Sequence, residues 1–202
     1  MKAETLEKLK EIKRSFRLLM NGETSKYMRE NGINYHLNWG VALTDLRKMA
    51  EEYAGNDELA IELWKENIRE CKILATMIMP VEKMTPQLAD LWMEQTDTQE
   101  IAEQLALNVF HKTGFAPLLA FEWIAGDKPL MQICGFHIIA RMINNGEIPD
   151  ERGINEIIDQ ALTAMAGKNV AVSHAAFNCL TRLAQVGEDY EKVVQAALGH
   201  NA

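Results

Sequence analysis

The segment from Trp92 to Phe110 constrains the chain most, because its spacing admits one backbone geometry. Thr96, Asp97 and Thr98 are three side chains in a row that can accept from the open amides of a helix start. Thr96 also has Gln99 three residues on, in capping-box spacing. A helix is predicted to begin near Asp97 or Thr98. Ile101, Ala102, Leu105, Ala106 and Val109 follow at the three- and four-residue steps that place side chains on one buried face. Gln99, Glu103 and Phe110 fall on a second stripe beside it. A carboxylate in the second turn, near the partial positive charge of a helix N-terminus, is readily kept ionised, so Glu103 is the candidate chemical group, with a solvated Glu on an exposed face as the plainer reading of the same spacing.

The same reading extends along the chain. Leu6, Leu9, Ile12, Phe16 and Leu19 form a stripe that Asn21-Gly22 is expected to end. A short helix follows from about Thr24 to Arg29, and Ile33 to Gly40 reads as an ordered polar-aromatic loop. Further helices are expected from Thr44 to Gly55, from a cap at Asp57 to Ile78 as one long helix or as two short ones with a break near Asn67, and from Thr85-Pro86 with Leu88, Leu91 and Trp92 inward. Beyond the central helix come 117–123, 128–143, 150–166, 169–186 and 189–198. Roughly a dozen helices without a convincing strand make the chain all-α. Three segments around Cys71, Cys134 and Cys179 each set small residues among large aliphatics on an inner helix, which points to an α-solenoid of HEAT-like helical pairs with a concave face. The whole of 1–202 reads as a single repeat domain.

Composition narrows function by exclusion. With 48% apolar residues the chain is expected to be soluble and globular rather than disordered. The first twenty residues mix Lys and Glu, unlike a signal peptide, and no uncharged apolar run is long enough to span a bilayer, so a cytoplasmic location without membrane partners is expected. The cysteines are three, far apart and embedded in apolar patterns, which makes them reduced core thiols. The histidines have no metal-ligand spacing, Cys134 with His137 reads as structural, and neither metal nor cofactor is expected. The eleven methionines serve as core filler, and Trp64, Trp92 and Trp123 as packing residues.

A net charge of −8 argues against indiscriminate polyanion binding but leaves room for a local basic stripe. Such a stripe would come from the first half, where 15 of the 21 Lys and Arg residues precede Gly114. Lys10, Lys13, Arg14 and Arg17 run along one edge of the first helix, and Lys65, Arg69 and Lys72 share a later face. A solvated helix edge is the plainer reading of either set, with a phosphate-contact strip as the alternative.

An ordered set of motifs then points to a family. Trp39-Gly-Val-Ala-Leu-Thr-Asp-Leu-Arg47, Leu59-Ala-Ile-Glu-Leu-Trp64, Ile68-Arg-Glu-Cys-Lys-Ile-Leu-Ala75, Met84-Thr85, Trp92, Glu103-Gln104, Glu122-Trp123 and Gly135-Phe136 closely resemble the AlkD-like DNA alkylation repair family. The resemblance runs from about Ile33 to Arg182. It implies a C-shaped stack of HEAT-like pairs holding duplex DNA in its concave face, in a family containing N-glycosylases for cationic alkylated purines. A cationic base already leaves readily, so such an enzyme has to stabilise the developing sugar cation and admit a water. Active members place a carboxylate near the sugar and two tryptophans around the lesion, whose faces favour cations.

Transferred onto this chain, the pattern Ser-Trp-Asp-x-x-Asp-Gln falls on Thr98 to Gln104. The carboxylate is kept as Glu103, and the tryptophan is replaced by Gln99. The later Asn-Trp-Ala-Leu-Arg falls on Asn178 to Arg182, which puts Cys179 at the second tryptophan and leaves Arg182 as a candidate phosphate contact. The arginine pair before Ala-Gly-Phe is Gln132-Ile133 here. The resemblance thus implies a repair-family protein with candidate catalytic positions Glu103, Gln99 and Cys179. Its candidate nucleic-acid contacts are Lys10, Arg14, Arg17, Lys65, Arg69, Lys72 and Arg182. It is expected to bind duplex DNA weakly, with standard glycosylase chemistry weakened or lost. The alternatives are a HEAT-like scaffold for a protein partner, or a glycosylase that relies on Glu103.

Overall fold

A computed structural model describes residues 2–199. Among these residues the regular structure is helical, and the only β-type pairing is one isolated parallel bridge between Leu37 and Ile68. Contacts divide it into two compact units, Met1–Leu88 and Ala89–Ala202.

The first unit contains α1 (Ala3–Leu18), α2 (Gly22–Glu30), α3 (Leu43–Tyr53), α4 (Asp57–Lys65) and α5 (Arg69–Ile78). The stripe of α1 buries Leu9, Ile12 and Phe16, with Leu6 half-buried, but Leu19, expected in the same stripe, stands at the C-cap beyond the last helical turn and is 39% exposed. Asn21 is not the stop of that helix but the N-cap of the next: α1 ends at Leu18, and the Asn21 side chain accepts from Thr24 N at 3.0 Å. Asn is favoured in both settings, so the residue type alone does not separate them. Asn56, rather than Asp57, caps α4 by accepting from Leu59 N. Of the two arrangements open for 57–78, two helices with a break is the one found, because Ile68 is extended there and Arg69 N donates to Leu37 O at 3.0 Å.

Helix α5 packs against α3 and α4, and every one of its residues except Met77 is buried. A helix enclosed on all sides needs internal partners for its polar side chains. Thr76 donates to Ile73 O, while Glu70 and Arg69 turn to the 33–41 segment. Glu70 accepts from Trp39 N and Val41 N at 3.2 Å each, and Arg69 Nη1 donates to Val41 O at 3.1 Å and to Glu70 Oε1 at 3.2 Å. An irregular loop is thereby ordered by a buried ion pair. Gly40 completes it with φ +72°, where a Cβ would lie 2.2 Å from Asn21 O.

The boundary between the units falls within α6 (Pro86–Glu94), and the second unit continues with α7 (Gln99–Asn108), α8 (Ala116–Ala125), α9 (Pro129–Asn144), α10 (Glu151–Ala166), α11 (Val170–Ala184) and α12 (Glu188–Gly199). Proline stands in the first turn of α8 and α9, and side chains of Asp150 and Asn169 cap α10 and α11. Thr98 caps α7; the capping box expected from Thr96 does not form, because its hydroxyl donates back to Trp92 O at 2.8 Å. Leu91, expected inward, is 46% exposed, while Trp92 beside it is buried. Helix α9 packs against α7, α8 and α11. Its approach to α8 is close enough that a Cβ on Gly135 would meet Ile124 Cγ2 at 2.8 Å and Ala120 O at 2.9 Å. None of the described helices is long and apolar enough to cross a membrane.

Candidate functional site

Thr98 starts α7 one residue before Gln99, so Gln99 and Glu103 stand one turn apart on the same face. The Gln99 amide donates to Glu103 Oε1 at 2.7 Å. From α9, His137 Nε2 approaches the same oxygen at 3.6 Å. Burial pushes the Glu103 carboxyl up, but hydrogen bonds from His137 and Gln99, together with the charge a protonated His137 carries, outweigh it and hold the group below the ordinary carboxylate range. The result is an ionised, half-buried carboxylate with one oxygen occupied. Oε2 has no partner among the described residues.

The other positions transferred from the resemblance fall differently. Cys179 is fully buried in α11 and cannot form a pocket wall; burial pushes its thiol up to about 12. The exposed aromatic of that helix is Phe177, at 51%. Gln132, at an arginine position of the resembled pattern, closes the turn between α8 and α9 by donating to Gly126 O at 2.9 Å, and Ile133 is buried.

The candidate cations split by environment. Arg69 and Lys72 are 3% and 7% exposed, inside the first unit, where Arg69 is bonded to Val41 O and Glu70 and Lys72 stands over the Trp64 ring at 5.2 Å. This conformation offers neither to a phosphate; the face they share on a helical wheel is an interior face because α5 is surrounded. Lys10 and Lys65 are exposed but paired within their own helices to Glu7 and Glu62. Arg14 and Arg17 are exposed and make no hydrogen bond or salt bridge among the described residues. In the second unit Arg182 is half-exposed and donates to Gln185 Oε1 at 3.0 Å.

Two residues of α9 escape sequence reasoning. Spacing alone pairs His137 with Cys134, whereas its partner is Glu103, 34 positions away on another helix. Arg141, one turn after His137 on α9, is exposed and without a salt bridge among the described residues. The one signal available for them is their four-residue spacing, which aligns them on one face.

Fold and site together define a HEAT-like helical-repeat protein with a polar carboxylate centre in its second unit. The chain belongs to the family of the DNA alkylation repair enzyme, whose model matches residues 12–201. The fold is similar to a solved structure described as "A new family of proteins related to the HEAT-like repeat DNA glycosylases with affinity for branched DNA structures", with a TM-score of 0.82 and 19% identity over 94% of this chain and 80% of that one. No curated protein sequence matches the chain.

Proposed function

We propose that this protein associates with DNA as a binding member of its repair family and does not excise N-alkylated purines. The observation that carries the reading is the Gln99 amide on Glu103 Oε1. Where the resemblance expects an indole face beside the carboxylate, an amide now neutralises part of its hydrogen-bonding capacity, and the second wall position is the buried Cys179. An oxocarbenium-like sugar would meet a carboxylate already engaged, with no paired aromatic faces to hold a cationic base. Family membership and the branched-DNA affinity stated for the solved relative support retention of DNA binding. The cations that serve it in this reading are the exposed Arg141 on α9 and half-exposed Arg182 on α11 in the second unit and, separately, the exposed Arg14 and Arg17 on α1 in the first.

So few cations on a chain of net charge −8 give weak, salt-sensitive binding, on the order of micromolar or poorer at physiological salt. Titrating labelled duplex and four-way junctions at two salt concentrations, beside an assay of base release from DNA carrying N-methylated purines, tests both halves. Binding without release is expected. Release abolished by Glu103→Gln would replace this reading with a glycosylase.

A specific observation also favours a scaffold for a protein partner: four of the seven candidate cations are buried or paired with acids inside the chain, as Lys10, Lys65, Arg69 and Lys72 show. Absence of DNA binding even at low salt would leave that reading in place.

A further inference from the structure

The turn between α1 and α2 leaves three apolar side chains in succession open to solvent: Leu18 at 87%, Leu19 at 39% and Met20 at 60%. One exposed leucine is ordinary on a folded surface, whereas a consecutive run is not. The backbone on both sides of the run is fixed. Leu19 N donates to Ser15 O at 3.1 Å, closing α1, and Asn21 N donates to Trp39 O at 2.8 Å. The Asn21 side chain caps α2 through Thr24 N, and Phe16 is buried against the Trp39 ring, with centroids 5.6 Å apart. The apolar side chains thus stand on a short turn between two anchored helix ends, which leaves little backbone freedom to lose on binding.

The charge around this tip is of one sign. From Ile12 to Gly22 the chain has three cations and no acid. Lys13 is engaged by Glu66 at 3.1 Å, but Arg14 and Arg17 are exposed and form no hydrogen bond or salt bridge among the described residues. Arg14 stands one turn before Leu18 on the same face of α1, and Arg17 directly precedes it. An apolar tip with a guanidinium pair at its base is complementary to a polyanion that also exposes apolar surface.

We infer that the Leu18–Met20 tip inserts into DNA where stacking is already interrupted, at a bulge or a branch, while Arg14 and Arg17 bond the flanking phosphates. The inference rests on the DNA-binding reading above and adds to it the form of DNA preferred. Intact duplex hides its base faces, so an apolar side chain enters only after a step is unstacked; at an interrupted step that cost is already met. A lipid surface fits less well, because three short side chains bury less than one acyl chain, which alone holds a protein only marginally. Two copies meeting tip to tip would bring four guanidinium groups together.

The test is fluorescence anisotropy at low salt with a labelled intact duplex and the same duplex carrying an unpaired adenine bulge, with 2-aminopurine beside the bulge to report unstacking. The bulged duplex is expected to bind about tenfold tighter than the intact one, within what one unstacking step is worth, and its 2-aminopurine emission should rise. Leu18→Ser with Met20→Ser should remove the preference and the rise, leaving intact-duplex affinity and its salt slope unchanged. Arg14→Gln with Arg17→Gln should weaken binding to both forms. Leu118→Ser, at a site 70% exposed on α8, should change neither. All these side chains are exposed, so each variant should keep the parent's helical circular dichroism. Persistence of the bulge preference in the serine variant would overturn the inference and leave the DNA reading standing; absence of binding to either duplex by the unaltered protein would overturn both. Binding to phosphatidylserine vesicles, or self-association, that is lost in the serine variant while the bulge preference persists would assign the tip to that partner instead.

Discussion

The Gln99 amide nitrogen lies 2.7 Å from Glu103 Oε1, one turn along the same helix, so α7 supplies its own carboxylate with a neutral donor. That hydrogen bond helps hold the Glu103 carboxyl below the usual range against the upward push of burial. A depressed carboxyl contributes stability above its unfolded value, about 4.3, and the contribution is lost as pH falls through the folded value. Gln99→Ala should therefore move the Glu103 titration upward, followed by carboxyl carbon chemical shift. Glu103→Gln should flatten the acid limb of a stability profile measured by urea unfolding between neutral pH and pH about 3.

Glu70→Gln leaves Arg69 as a buried cation without its anion. The expected cost is about 3–5 kcal/mol, read from chemical denaturation. Because Glu70 also accepts from Trp39 N and Val41 N, amide exchange across 39–41 should quicken in the same variant. Arg69→Met added to Glu70→Gln should recover part of the loss, since the stranded charge is then gone.

The three cysteines should be silent to a thiol reagent at pH 8 in the native protein. Burial pushes Cys179 up to about 12 and raises Cys71 and Cys134 further, so almost no thiolate is present and access is closed. Labelling is expected to appear only across the urea transition. A thiol that reacts before it would show local opening of its helix.

Arg14→Glu with Arg17→Glu, and separately Arg141→Glu with Arg182→Glu, should keep the fold and lower junction-DNA affinity. The slope of log affinity against log salt should become shallower by about 0.9 for each phosphate that the variant no longer neutralises. Arg69→Glu with Lys72→Glu should instead unfold the first unit, visible as loss of helical circular dichroism before any DNA is added, because both side chains are interior.

Helix existence is legible in the sequence because local signals agree with packing: Asp150, Asn169 and Thr85-Pro86 each stand where a helix begins, and apolar spacing predicts the buried faces of α1 and α7. At Asn21, Asn56 and Thr96 the local signals mislead, since each residue type suits neighbouring positions of a helix end and only tertiary context decides. Arg69 and Lys72 share a face at helical spacing, which on most helices means solvent; nothing local reveals that α5 is enclosed. The carboxylate candidate Glu103 is readable from α7 alone. His137 is not, because its role depends on how α9 packs, and burial of Cys179 likewise follows from the packing of α11.

The hub position of α9 carries a kinetic consequence. Its partners α8 and α7 precede it closely in the chain and α11 follows after one helix, so most of its pairing closes short loops. Short closures cost little entropy and favour early formation. Volume-reducing substitutions at Phe136 or Ile138 should therefore slow refolding, whereas truncations at Val194 on terminal α12 should chiefly hasten unfolding. The tight seat of Gly135 against Ala120 and Ile124 would then be set in the transition state, and the rest of the second unit would assemble around a wedge already formed.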